Sequence, residues 1–122
     1  MATAKARKTQ GRSQVVLYAR VSSKDQEKEG FSIPAQLRLL RDYAASNGFL
    51  IAHEFTDVET AKASGRTNFG QMITYLKKQP GTCRAILVEK TDRLYRNLTD
   101  YATIDELGVT IHLVKEALSE NL

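Results

Sequence analysis

The segment VVLYARVSSKDQ, residues 15–26, joins an apolar, β-branched run to an abrupt polar break. The run over residues 15–21 predicts a short buried strand, because valine and aromatic side chains favour strands. Since side chains alternate along a strand, Tyr18, Arg20 and Ser22 are expected on one side of it. The segment therefore predicts a hydroxyl group beside an arginine, at the end of a buried strand.

Strand and helix patterns alternate along the rest of the chain. The predicted strands cover residues 15–21, 49–55, 85–88 and 109–114. The first helix is expected to begin after an N-cap at Ser32 and to end just before Gly48. The alternation predicts an α/β fold, a three-layer domain with a mostly parallel four- to five-stranded sheet and helices on both faces.

Length and composition favour one compact domain. The chain has 122 residues, of which 42% are hydrophobic and 26% are charged. It has no apolar run of the roughly 18 residues that a membrane span needs, and its first residues lack the apolar stretch of a secretory signal. Cys83 is the single cysteine, so an internal disulfide is excluded and a reducing, cytoplasmic location is expected. With His53 and His112 as the two histidines, no metal site is expected.

The positive charge is concentrated at the start of the chain. Of the 18 lysines and arginines, four lie in residues 1–13, whereas all 14 acidic residues lie later. Residues 1–13 are therefore predicted to form a flexible basic tail, and residues 14–122 the folded domain. The tail is interpreted either as a solubilising leader or as a mobile arm attracted to nucleic acid phosphates. The net charge of +4 alone does not identify a partner.

Polar residues gather where the predicted strands end. In open α/β sheets, ligands bind outside the carboxyl ends of the strands. The residues expected at that edge are Tyr18, Arg20, Ser22, Asp57, Arg66, Glu89, Lys90, Asp92, Arg93, Arg96, Lys115 and Glu116. Residues 57–67 are expected to form a loop. If residues 92–97 begin a helix, Arg93 and Arg96, three positions apart, share one of its faces.

This set of residues favours a phosphate-binding site. A guanidinium group is a planar fork that fits phosphate oxygens and keeps its charge at ordinary pH. Several of them together are expected where a phosphorus centre gains negative charge, while Asp57 and Asp92 hold the forks in place. Ser22 would be the nucleophile, and a carboxylate or a water would take its proton. Taken singly, Ser22 is ordinary as a turn or cap residue, and Gln26 and Gln36 as surface amides.

Four short motifs resemble those of the serine recombinase family, which contains resolvases, invertases and large serine integrases. YARVS (residues 18–22), followed by DQ (residues 25–26), is similar to the opening signature of that family. TDRLYR (residues 91–96) is similar to its second signature, and FTD (residues 55–57) and SGRTNF (residues 64–69) resemble the segments between them. The motifs occur in the order and at the distances of the family pattern.

The resemblance implies a resolvase-like catalytic domain that recombines DNA at specific sites. Ser22 would attack a DNA phosphodiester and form a 5′-phosphoseryl intermediate, without a cofactor, before strand exchange and religation. Arg20, Arg93 and Arg96 would bind the scissile phosphate, and Arg66 matches another active-site arginine of the family. Secondary candidates for contacts with the substrate are Gln26, Tyr18 and Lys90. The resemblance also implies self-association to a dimer or tetramer and an origin in bacteria, a phage or another mobile element.

Two departures from the family pattern leave an alternative open. Glu89 and Lys90 stand where many members carry more basic residues. The oligomerisation helix and DNA-binding region that follow in family members are expected to be missing after residue 122, so the chain alone is not expected to complete recombination. The alternative is a non-catalytic module that binds phosphate or nucleic acid, or a dimerising regulator of the same fold. A serine hydrolase is disfavoured, because the sequence lacks a G-x-S-x-G motif.

Overall fold

The computed structural model of the chain describes residues 13–22, 32–60, 66–79 and 81–116. Its strands are β1 (Gln14–Ser22), β2 (Leu50–Glu59), β3 (Cys83–Val88) and β4 (Thr110–Leu113). Its helices are α1 (Ile33–Ser46), α2 (Thr67–Lys77), α3 (Thr91–Leu94) and α4 (Leu98–Leu107). The four strands form an all-parallel sheet in the order β2-β1-β3-β4, which confirms the predicted α/β fold. Gln26 and residues 1–12 of the predicted tail lie outside the described residues.

The core lies on both faces of the central strand β1. Val15 and Leu17 face α1, where they pack with Leu40 and Ala44. The alternate residues of β1 face the other helices and pack in a cluster that includes Phe69, Met72, Leu94 and Ile104. Because both faces are covered, β1 carries an almost continuous apolar run rather than an alternating one.

The order of the strands creates a crevice at the end of the sheet. From β1 the chain moves to β2 on one side, then crosses back over β1 to β3 and continues outward to β4. Right-handed crossovers place α1 on one face of the sheet and α2 and α4 on the other. The direction therefore reverses between β1 and β3, and ligands bind beyond the carboxyl ends of strands at such a reversal.

The ends of α1 and α4 follow the chemistry of their capping residues. Ser32 Oγ accepts a 3.3 Å hydrogen bond from the main-chain nitrogen of Ala35, which confirms the predicted N-cap of α1. Gly48 follows that helix with φ +71°, and Gly108 ends α4 with φ +68°. Glycine adopts this left-handed backbone without the steric cost that a side chain brings.

Two local predictions are wrong. Strand β2 continues through Asp57 to Glu59, so the segment expected to begin a loop at residue 57 is paired with β1. The helix expected to carry both arginines ends at Leu94, because Tyr95 has extended backbone angles (φ −100°, ψ 132°). Arg93 and Arg96 therefore do not share a helical face.

Within the described ranges, no helix combines the length and the apolar composition that a membrane crossing requires.

Candidate active site

Strand β1 extends beyond its neighbour β3 at the crevice. The last residue of β3 that pairs with β1 is Val88, which lies opposite Tyr18. On its other side β1 stays paired with β2, where Arg20 lies opposite Asp57 and Ser22 lies opposite Glu59. Arg20 and the partly buried Ser22 thus project past the end of β3, at the rim predicted from the sequence.

The side chain of Gln36 completes the hydrogen bonding of β1 where β3 has ended. Its Oε1 accepts a 3.2 Å hydrogen bond from the main-chain nitrogen of Arg20, and its Nε2 donates a 3.0 Å bond to the main-chain oxygen of the same residue. Gln36 lies on α1 and is only 1% exposed, so its interpretation as a surface amide is wrong. It fixes the backbone from which the Arg20 side chain projects.

The guanidinium of Arg20 lies across the end of α3. Its Nε donates to the main-chain oxygen of Arg93 at 3.2 Å, and its Nη2 donates to the main-chain oxygen of Asp92. Its Nη1 lies 3.5 Å from Oε2 of Glu59. Asp92 thus contacts Arg20 through its main-chain oxygen, rather than through the carboxylate that the sequence suggested.

Arg96 reaches the same carboxylate from the turn after α3. Its Nε lies 3.0 Å from Glu59 Oε2. The main-chain nitrogen of Arg96 donates a 2.8 Å hydrogen bond to Asp100 Oδ2, which holds the turn against α4. Two arginines that are far apart in the sequence, Arg20 and Arg96, therefore meet at one oxygen atom of Glu59.

Arg93 is held separately and is more deeply buried. Its Nε donates a 3.0 Å hydrogen bond to Glu89 Oε1, and the residue is 6% exposed. The other oxygen of Glu89 lies 3.5 Å from Nζ of Lys115. Glu89, whose role the sequence did not explain, is therefore the buried anion that pairs with Arg93.

Arg66 lies at the centre of a polar network beside Arg20. Its Nη2 donates to Asp100 Oδ2 at 2.7 Å and to the main-chain oxygen of Leu94 at 3.0 Å. Its Nη1 donates to Tyr18 Oη at 3.2 Å, and its guanidinium carbon lies 3.9 Å from the centre of the Phe69 ring. These contacts orient Arg66 from four elements of the fold, β1, α2, α3 and α4.

Asp57 stabilises this network from strand β2. Its Oδ2 accepts hydrogen bonds from Tyr18 Oη at 2.7 Å and from the main-chain nitrogen of Phe69 at 2.8 Å, and its Oδ1 accepts from the main-chain nitrogen of Asn68 at 3.0 Å. A carboxylate at the first turn of a helix satisfies amide groups that have no partner within the helix. Asp57 therefore caps α2 from the sheet, and it reaches Arg66 through the hydroxyl of Tyr18.

The pKa values of two residues report how closely the charges lie. Burial and the neighbouring charge of Arg66 lower the pKa of Arg20, and the charge of Arg96 contributes in the same direction. Burial, together with the hydrogen bond to Asp57, raises the pKa of Tyr18 well above its usual range. Arg20, Arg66 and Arg96 thus form one positively charged group, and Tyr18 keeps its proton at ordinary pH.

The remaining candidate among the described residues is Lys90. Lys90 stands at the N-cap of α3 with an extended backbone, and its main-chain oxygen accepts a 3.0 Å hydrogen bond from the Arg93 nitrogen.

In the described part of the chain, no three His, Cys, Asp or Glu side chains are grouped as a metal ion would require.

Sequence reasoning missed three residues of the site, Gln36, Glu59 and Asp100. Glu59 follows Asp57 by two positions and so lies on the same face of β2, a signal that a longer predicted strand would have provided. For Gln36 and Asp100 the sequence carries no comparable local signal, because their partners are distant in the chain.

The chain belongs to the family of the resolvase N-terminal domain, which is the catalytic domain of serine recombinases. The family model matches residues 15–121. None of the curated proteins searched matches the chain.

Solved structures of recombinase domains resemble the fold. A resolvase family site-specific recombinase from Streptococcus pneumoniae is 30% identical, with a TM-score of 0.71 over 86% of this chain and 74% of that one. The catalytic domain of ISC1926 TnpA, an IS607-like serine recombinase, is 26% identical, with a TM-score of 0.67 over 88% and 76%. The N-terminal catalytic domain of TP901-1 integrase is 27% identical, with a TM-score of 0.64 over 82% and 77%.

Proposed function

We propose that the chain is the DNA-cleaving domain of a site-specific recombinase and that Ser22 is its nucleophile. The observation that carries this proposal is that Arg20 and Arg96 share Glu59 Oε2 at the rim where β1 ends at Ser22, with Arg66 held beside them on Tyr18. A phosphodiester has one negative charge and gains a second as a fifth oxygen approaches phosphorus. A fixed group of cations stabilises that developing charge more strongly than the ground state, which is the requirement for catalysis.

The proposed reaction is a transesterification. The Ser22 Oγ forms a bond to phosphorus, and the bond between phosphorus and the 3′ oxygen of the neighbouring sugar breaks. The serine proton passes to a carboxylate or a water, and the departing 3′ oxygen gains a proton. The product is a 5′-phosphoseryl ester with a free 3′ hydroxyl. Because one phosphate diester replaces another of similar energy, the reverse step can join new DNA ends without a cofactor.

The other residues act through the arginines in this proposal. Asp57 and Tyr18 orient Arg66, and the main-chain oxygens of Asp92 and Arg93 orient Arg20. The guanidinium of Arg93, which is paired with Glu89, is assigned to a further contact with the scissile phosphate. Lys90 and Gln26 are assigned to contacts with the DNA beside the scissile phosphate.

DNA is the proposed partner, together with further copies of the protein in a dimer or tetramer. Family membership supports both, since exchange between two DNA sites needs a nucleophile for each strand that is cut. The proposed place of action is the cytoplasm of a bacterium that carries the mobile element or phage.

Trapping of a covalent adduct tests the proposal. The protein is incubated with sheared DNA from the genome that encodes it and is then denatured with detergent. Protein-linked fragments are digested with nuclease, and the peptide that contains residue 22 is analysed by mass spectrometry. We expect a nucleotide attached through its 5′ phosphate to Ser22, and a free 3′ hydroxyl at the other cut end that a polymerase can extend.

Two serine variants complete the test. Ser22→Ala should abolish the adduct, whereas Ser46→Ala, at an exposed position at the end of α1, should leave it unchanged. An adduct that persists in Ser22→Ala, or one that carries a 3′ phosphate, would refute the assignment of the nucleophile.

A further inference from the structure

One carboxylate stands among the arginines of the candidate site. Glu59 Oε2 lies 3.0 Å from Arg96 Nε and 3.5 Å from Arg20 Nη1. This oxygen atom is itself buried, although the side chain as a whole is 27% exposed, and neither contact has the geometry of a hydrogen bond. A single buried oxygen therefore balances two guanidinium groups through charge alone.

The position of Glu59 places that oxygen beside the proposed nucleophile. Glu59 lies opposite Ser22 in the register of β1 and β2. Paired residues of neighbouring strands point to the same face of a sheet, and the strands lie about 5 Å apart. The carboxylate of Glu59 thus lies in the region that the scissile phosphate has to enter, if Ser22 is to attack it.

Electrostatics explain why the free protein places an anion there. Arg20 loses solvation by burial, and the charges of Arg66 and Arg96 lower its pKa further, while the charge of Glu59 raises it. Arg66 is paired with Asp100, but without an anion beside them Arg20 and Arg96 would repel each other and move apart. Glu59 supplies that anion, but a phosphate that entered the site would be repelled by the same carboxylate.

A second arginine–glutamate pair on the same strand shows a different geometry. Glu54 accepts two hydrogen bonds of 2.7 Å from Arg41, one to each carboxylate oxygen, at the surface. That fork-to-fork arrangement is the strong form of the interaction. The longer contacts of Glu59 with Arg20 and Arg96 are suited to exchange rather than to permanent pairing.

We propose that Glu59 is a positioning residue that holds Arg20 and Arg96 in the DNA-free protein and is exchanged for the scissile phosphate when DNA binds. This inference rests on the proposed function, because it assigns the space between these arginines to a phosphate. Glu59 thereby keeps the arginines near their working positions and lowers the affinity of the site for anions. A free phosphate therefore displaces the carboxylate only at high concentration, whereas further contacts with DNA help a phosphodiester to displace it.

The first test follows the arginines of the unmodified protein by nuclear magnetic resonance. Inorganic phosphate is titrated into protein labelled with ¹⁵N at arginine, and the Nε–Hε signals are recorded. We expect the Arg96 signal to shift in a saturable manner, because phosphate replaces Glu59 at that nitrogen. The Arg41 signal is the internal control and should stay in place, since its Nε is bonded to Glu54. A saturating shift at Arg41 and none at Arg96 would overturn the proposal.

The second test compares two glutamates of β2. Removing the charge of Glu59 with Glu59→Gln should tighten phosphate binding about tenfold, as expected for the loss of one like charge near the ligand at a partly screened site. Glu54→Gln should leave the affinity at the wild-type value, and Arg96→Ala in the Glu59→Gln background should abolish the gain. Equal or weaker phosphate binding by a folded Glu59→Gln variant would overturn the proposal. If that variant does not fold, the titration of the unmodified protein decides.

The role proposed for Glu59 and the role proposed for Ser22 can fail independently of each other. Phosphate exchange at Arg96 requires neither DNA nor the Ser22 hydroxyl, so the titration can also be made on Ser22→Ala. A Ser22 adduct without phosphate exchange would reject only the role of Glu59. Exchange without any adduct would support that role and reject Ser22 as the nucleophile.

Discussion

Tyr18 and Asp57 lie on neighbouring parallel strands and share a buried 2.7 Å hydrogen bond, in which Tyr18 Oη donates to Asp57 Oδ2. The same hydroxyl oxygen accepts a hydrogen bond from Arg66 Nη1, while Asp57 also caps α2. The tyrosine of the first motif thus connects the sheet, the start of α2 and an arginine of the candidate site. Its raised pKa, caused by burial and by Asp57, keeps the hydroxyl protonated as this geometry requires.

Asp57→Ala should lower the free energy of unfolding by about 3 kcal/mol, because two buried donors and one partly buried donor lose their acceptor and α2 loses its cap. Chemical denaturation followed by circular dichroism measures the change. Asp42→Ala, at an exposed position on α1, is the matched control and should change the stability by less than about 0.5 kcal/mol. An equally small effect of Asp57→Ala would show that the network is not structural.

Gln36→Met should destabilise the fold and also slow the reaction. Methionine has a similar volume, but it leaves the main-chain N–H and C=O groups of Arg20 without partners, at a cost of about 2–3 kcal/mol. Gln71→Met, on an exposed position of α2, provides the control for the substitution itself. We expect adduct formation per folded molecule to fall as well, since Gln36 fixes the backbone that carries Arg20. Unchanged adduct formation by the folded fraction would contradict this positioning role.

The buried pair of Glu89 and Arg93 allows stability to be separated from chemistry. Glu89→Leu leaves the Arg93 charge buried without its partner and should cost about 3–5 kcal/mol. The double variant Glu89→Leu/Arg93→Met should recover most of that loss in a urea unfolding experiment, because an apolar pair of similar volume needs no charge balance. It should nevertheless form little adduct. Full adduct formation by the stable double variant would exclude the Arg93 guanidinium from the reaction.

The sequence predicts the scaffold well where its signals are local. The alternation of strand and helix patterns is sufficient for the parallel sheet, and the first helix begins after Ser32 and ends before Gly48 as their capping chemistry requires. The end of β2 is a different case. Asp57 and Glu59 have low strand propensity, yet they pair with Arg20 and Ser22, because the neighbouring strand determines where pairing ends.

The spacing of the arginines in the sequence did not predict their arrangement in the folded domain. Arg93 and Arg96 fit one helical face only if the helix continues, and no proline or glycine marks the break at Tyr95. Tertiary contacts keep the chain extended there: Arg66 binds the main-chain oxygen of Leu94, and Asp100 binds the main-chain nitrogen of Arg96. Such contacts depend on the assembled fold, so the sequence could not indicate that Arg93 is held apart from the other arginines or which acid holds each of them.

Asp100 holds two arginines of the candidate site in place. Its Oδ2 accepts from Arg66 Nη2 at 2.7 Å and from the main-chain nitrogen of Arg96 at 2.8 Å, so one oxygen sets the positions of two arginines. Asp100→Asn removes the charge and should cost about 1–2 kcal/mol of stability. If the same 1–2 kcal/mol is lost from the transition state, adduct formation becomes about tenfold slower. Asp105→Asn, exposed on the same helix, should change neither quantity. A variant Asp100→Asn that loses stability but forms adduct at the wild-type rate per folded molecule would show that Arg66 and Arg96 need no fixed position, because a merely structural carboxylate changes only the fraction of protein that is folded.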